Sequence, residues 1–119
     1  MTDHEKLTLV APPALEDALL EALLEHPATE SFSSSPGRGH GAHPDRMTLA
    51  EQVSGWRREI RVEVLLRRED RDGLLATLRE RFATDSVRWW AVPVVDRGSL
   101  APERDRSAVL EDDGGPGGS

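Results

Sequence analysis

His40 and His43 stand three residues apart in SSSPGRGHGAHPDRMTLAEQVSG, residues 33–55, with Asp45 close behind and Glu51 further on. Imidazole and carboxylate without thiolate suit Zn(II), Co(II), Ni(II) or Cu(II), and not Cu(I), which prefers sulfur. Two histidines are too few to close a four-ligand site, so Asp45 or a second copy of the chain would complete it. Histidines on exposed loops are more often plain polar residues, and the spacing alone does not decide between the two. The same stretch offers another chemistry. Gly37, Gly39 and Gly41 surround Arg38 in the manner of a phosphate-cradling loop. GxGxG without a helix start behind it is not specific, and glycine can equally supply flexibility. Arg57, Arg58 and Arg61 follow, interleaved with Glu59 and Glu63, the usual look of a solvated strand face.

Other chemistries have little support. Cysteine is absent, which removes disulfides, thiolate nucleophiles and sulfur-ligated metal centres. Ser33, Ser34 and Ser35 lack a G-x-S-x-G elbow, and no Ser–His–Asp order stands out, so catalysis is not expected. Glu59 and Glu63 fit ion pairs across strands. A net charge of −7 argues against a general nucleic-acid binder, which needs clustered Lys and Arg. No run approaches the length of a membrane span and no signal peptide opens the chain, so a cytoplasmic protein without membrane insertion is the default.

The elements that must position these residues follow from periodicity. Residues 6–11 alternate as a short strand that stops at Pro12-Pro13. Leu15, Ala18, Leu19, Ala22, Leu23 and His26 then fall at helical spacing, with Pro13 in the first turn and Pro27 closing the helix. His26 suits a helix end, and His4 belongs to a terminus expected to fray. Residues 28–35 form a sparse second strand around Phe32. In residues 56–66, Trp56, Ile60, Val62, Val64 and Leu66 share one face, while Arg57, Glu59, Arg61 and Glu63 share a wet one. Residues 68–82 are helical through Leu74, Leu75, Leu78 and Phe82. Residues 87–95 are a fourth strand whose Pro93 implies an edge or a bulge.

Strand, helix, strand, long loop, strand, helix, strand is the split β-α-β pattern. The expectation is an α+β, ferredoxin-like domain over 6–95, a four-stranded antiparallel sheet with two helices on one face. The loop, 33–55, joins strands two and three, and at that length is functional or misread, since most connections run to about six residues. Within it, residues 47–53 could form one or two helical turns, with Thr48 as N-cap and Glu51 at capping-box spacing. Residues 96–119, rich in charge and glycine, are expected to form a disordered tail. Trp89 and Trp90 point to opposite faces, so one lies on the open sheet face, which suggests self-association.

With LTLVAPPALEDALLEALLEHP, the pair Gly39-His40, and LAEQVSG followed by an arginine-rich strand, the chain resembles the PII-like proteins across 7–100. It is most similar to the small PII-like family whose genes often lie beside heavy-metal efflux pumps. The resemblance implies a homotrimeric signalling or regulatory protein, with the long loop (the T-loop) beside a cleft between subunits that holds a small effector. The chain departs from signalling PII proteins in the turn after the second helix. There 82–87 carries neither the glycines nor the lysine of their nucleotide cradle, and Asp85 would repel an anion.

The sequence therefore leads to a trimeric regulator whose loop responds to a small effector, a divalent metal first and an anion or nucleotide second. The metal residues would be His40, His43 and Asp45. The effector residues would be Arg38, Gly39, Gly41, Arg57 and Arg58. Met47, Leu49, Glu51 and Gln52 would meet a protein partner such as a membrane transporter or efflux pump. A metal-buffering carrier is the rival from a different class.

Overall fold

The computed structural model describes residues 3–40, 48–84 and 86–102. Its strands are β1 (His4–Ala11), β2 (Ser31–His40), β3 (Trp56–Arg67) and β4 (Arg88–Pro93). Its helices are α1 (Glu16–Glu25), α2 (Leu49–Ser54) and α3 (Arg71–Arg81). Every pairing is antiparallel and the sheet order is β2-β3-β1-β4, the ferredoxin-like topology expected. A 3₁₀ turn, Pro13–Leu15, leads into α1, with Pro13 at a position where its missing N–H costs nothing. His26 caps the other end of α1 and its Nδ1 accepts the Ala28 amide.

The register fixes which side chains share a face. Leu7, Leu9 and Ala11 of β1 lie beside Val64, Val62 and Ile60 of β3, and all six are buried. Leu19, Ala22 and Leu23 of α1 and Leu74, Leu75 and Leu78 of α3 pack into the same cluster, so both long helices cover one sheet face. Glu5, buried on that face, accepts Arg71 Nη1 at 2.8 and 3.1 Å and ties α3 to β1. Trp90 lies opposite Thr8, on the face away from the helices, and is the indole of the open face.

Four expectations change. His4 is not frayed: it begins β1, is 8% exposed, and its ring nitrogens lie 2.7 Å from Asp3 Oδ1 and 2.8 Å from Glu30 Oε2. The second strand does not stop at Ser35 but continues through Pro36, Gly37, Arg38 and Gly39 to His40. Pro36 is tolerated because β2 is an edge strand, where a missing N–H can face outward. The connection between β2 and β3 is thus shorter than 33–55 and contains a helix. Finally, Glu59 does not sit on a wet surface; it is 5% exposed. The end of the chain from 103 onward lies outside the described residues, and 94–102 form no strand or helix.

Candidate functional site

The site is assembled where β2 ends and β3 begins. Thr48 caps α2: its hydroxyl accepts the Glu51 amide, and Glu51 Oε1 accepts the Thr48 amide, each at 3.1 Å. This is the capping box that the sequence spacing implied. Gly55 ends the helix at φ 82°, a left-handed conformation that favours glycine, and its amide reaches Glu51 O at 2.9 Å. The chain can therefore turn straight from α2 into β3. Glu51 Oε2 also accepts the Arg58 amide at 3.3 Å, which fastens α2 to β3. The Thr48 amide, aided by the Arg58 amide and the Arg57 charge, holds the Glu51 carboxyl below its ordinary value.

Beside this joint lies a cleft of about 650 Å³. Arg38, Arg57, Arg58, Arg61 and Arg88 all line it, against two carboxylates, Glu51 and Glu59. Arg38 and Arg58 stand directly opposite each other on β2 and β3. Like charges facing across a sheet are destabilising unless something between or above them offsets the repulsion. Arg38 lies over the Trp56 ring at 4.7 Å, and Arg61 over Trp90 at 5.7 Å. Trp90 thus orients Arg61 in the cleft, whereas Trp56 holds Arg38 on the helix-side face of the sheet, where the two residues line a second hollow.

Glu59 lies among these cations without a hydrogen bond to any. Its Oε2 is 3.7 Å from Arg61 Nη2 and its Oε1 is 3.7 Å from Arg88 Nη2. Oε1 and Arg57 Nη1 are both buried with no hydrogen-bond partner among the described residues. Gly39 makes room for them. A Cβ there would meet Glu59 Oε1 at 2.5 Å and Arg57 Cζ at 3.1 Å.

The chain matches the model of a protein family of unknown function, DUF3240, over residues 1–101. It belongs to the DUF3240 family. A crystal structure of a family member from Shewanella baltica superposes with a TM-score of 0.70 at 21% identity, covering 85% of this chain and all of that one. The PII protein of Arabidopsis thaliana, solved with citrate bound, gives 0.65 at 17% identity over 90% of this chain and 92% of that one. CPII of Thiomonas intermedia, a nitrogen regulatory PII-like protein solved with ADP, AMP and bicarbonate, gives 0.60 at 16% identity, covering 81% and 96%. At these identities the likeness to the solved structures is one of fold: the chain shares the ferredoxin-like fold of the PII-like proteins. No curated protein matches the chain.

Of the residues singled out in the sequence, Arg38, Gly39, His40, Glu51, Arg57 and Arg58 converge on this cleft. Leu49 projects from α2 and is 78% exposed. Gly41, His43, Asp45 and Met47 lie outside the described residues, as does the side chain of Gln52. Among the described residues no three His, Asp or Glu side chains group as a metal site. Sequence reasoning missed the roles of Glu59, Arg61, Arg88 and Trp90 here. The one signal for Glu59 was the alternation of Gly37 and Gly39, which acquires meaning only when the register sets them against Glu59 and Arg57. No helix among the described residues is long and apolar enough to cross a membrane.

Proposed function

We propose that this protein is a PII-like regulator or sensor, and that a small anionic effector occupies the arginine cleft. The observation that carries this reading is the convergence of Arg38, Arg57, Arg58, Arg61 and Arg88 around one hollow with only two carboxylates. Such a surface attracts an anion. The solved PII-fold structures that hold citrate, or nucleotides with bicarbonate, make an anionic effector a natural class for this fold.

Signal transfer runs through Glu51. The Arg58 amide and the α2 cap share its two carboxylate oxygens, so a ligand that draws Arg58 changes how α2 sits. The exposed Leu49 side chain on α2 then meets, or fails to meet, a protein partner, with a membrane transporter as the partner class. Assembly is as a homotrimer, in which the open face bearing Trp90 and Val92, each about 40% exposed, is covered by a neighbouring copy. The setting is the cytoplasm.

Calorimetric titration with phosphate, citrate, ADP and ATP tests this. Binding should weaken at least about tenfold in Arg61→Gln, Arg88→Gln, since charge-assisted hydrogen bonds contribute about 1.5–3 kcal/mol each. Absence of binding for all four anions would refute it.

A second reading keeps a divalent metal as effector or buffered cargo, because exposed His40 borders the cleft beside Glu51. His43 and Asp45 would complete its ligands, and a link to metal efflux would follow. Zinc titration decides: His40→Ala, His43→Ala should abolish binding. Unchanged affinity in the double variant would refute the site.

A further inference from the structure

We infer that Glu59 reads a proton on the bound anion. The cleft then selects an oxyanion that still carries its own hydrogen, of the hydrogen-phosphate kind, over a fully deprotonated anion of the same charge. This inference rests on the anionic-effector reading above and narrows it to a ligand chemistry.

Glu59 is an unexpected occupant of an anion site. Placed beside Arg57, Arg61 and Arg88 on the open sheet face, a carboxylate weakens the attraction for any anion, and 5% exposure makes it costly to leave unpaired. Its neighbours do not satisfy it. Arg61 and Arg88 each stop at 3.7 Å, near enough to balance its charge and too far to hydrogen-bond. Among the described residues Glu59 Oε1 thus remains an acceptor without a donor, and Arg57 Nη1 a donor without an acceptor. Both side chains crowd the same glycine, Gly39, so the two buried groups lie against one place.

An anion with a hydroxyl complements both. One of its bare oxygens accepts from Arg57 Nη1 while its O–H donates to Glu59 Oε1. A deprotonated oxyanion offers only acceptors, and lone pairs then face the carboxylate. The arms of Arg61 and Arg88 roof Glu59, with side chains 44% and 51% exposed. Lifting toward an arriving anion uncovers the carboxylate and brings the guanidinium groups onto the ligand. The Arg57 and Glu59 side chains then supply orientation and selectivity, while the exposed arginines supply attraction.

The test uses the full chain at pH 8 and constant ionic strength. Calorimetric titrations with inorganic phosphate, sulfate and methyl phosphate compare three dianions, of which only the first retains a proton, since phosphate monoesters lose their second near pH 6. Phosphate should bind at least about tenfold more tightly than sulfate or methyl phosphate, the range expected of a charged hydrogen bond made or lost. In Glu59→Gln the side-chain amide can donate to a bare oxygen, so sulfate should gain and the phosphate-to-sulfate ratio should fall to within about threefold of unity.

Equal affinity for phosphate and sulfate in the unaltered protein would overturn the proton-reading role while leaving the arginine cleft as an anion site. An unchanged ratio in Glu59→Gln, with a native circular dichroism spectrum, would overturn it equally. Binding of none of the three would remove the anionic-effector reading itself. Should Glu59→Gln not fold, the comparison of dianions in the unaltered protein decides alone.

Discussion

Gly39→Ala tests the packing that shapes the cleft floor. Neither Gly39 nor Gly37 has the positive φ that demands glycine, so space alone separates the two positions. At Gly37 a methyl group would meet Glu59 Cγ at 3.5 Å and Oε2 at 3.6 Å, ordinary contact distances. At Gly39 it would meet Glu59 Oε1 at 2.5 Å, with Arg57 Cζ at 3.1 Å and Cγ at 3.2 Å. The carboxylate must therefore retreat by most of an ångström, into a setting where it is already 5% exposed.

Overpacking of this kind costs about 1–3 kcal/mol, against about 0.4–1 kcal/mol gained by restricting the unfolded chain. Gly39→Ala should be destabilised by about 1–2 kcal/mol. Gly37→Ala should be neutral or more stable by about 0.5 kcal/mol. In thermal denaturation the two should differ by at least about 5 °C for a domain of this size. Adding Glu59→Ala removes the obstruction, so Gly39→Ala should cost about 1 kcal/mol less in that background. Equal melting temperatures for the two glycine variants, or full additivity with Glu59→Ala, would refute this account of the floor.

Four further outcomes follow. Thr48→Ala should lower amide-exchange protection of 49–55 by about 1 kcal/mol, the usual value of an N-cap, without shifting global unfolding by as much. Glu51's folded pKa is depressed, so its contribution to the cap is present above the ordinary glutamate value and lost as pH falls through the lowered one. An NMR titration of the Thr48 and Arg58 amides should show that loss only on the acid side. His4→Ala should destabilise by about 1–3 kcal/mol in chemical denaturation, because Glu30 and Asp3 both lose their buried partner. Light scattering should give a trimer, and Trp90→Glu should dissociate it; a monodisperse monomer at micromolar concentration would contradict the assembly.

Much of this fold is legible in the chain, for identifiable reasons. Residues 56–66 carry a period of two because Ile60, Val62, Val64 and Leu66 must all meet α1 and α3. The helical stripes of α1 and α3 arise from the same demand. Thr48 and Glu51 announce α2 because a capping box is a local device needing no tertiary partner.

The continuation of β2 to His40 is not announced. SSSPGRGH has no β-branched or large apolar residue, and its strand form comes from pairing with β3 along its whole length. The burial of Glu59 escapes for a related reason. A charge in an alternating strand implies water, and only the register shows that Gly37 and Gly39 leave the room in which the Glu59 side chain lies against the sheet. His4 misleads because it is polar and near the end of the chain, yet Asp3 and Glu30 supply partners for both ring nitrogens.

The central claim, that the arginine cleft takes a small anion, is tested most directly by locating bound phosphate in solution. A two-dimensional amide NMR titration should move resonances of 37–40, 48–51, 57–61 and 86–90, and leave those around His4, Glu30 and Arg67 at the far end of the sheet in place. Shifts spread evenly over the surface, or gathered at that far end, would contradict it.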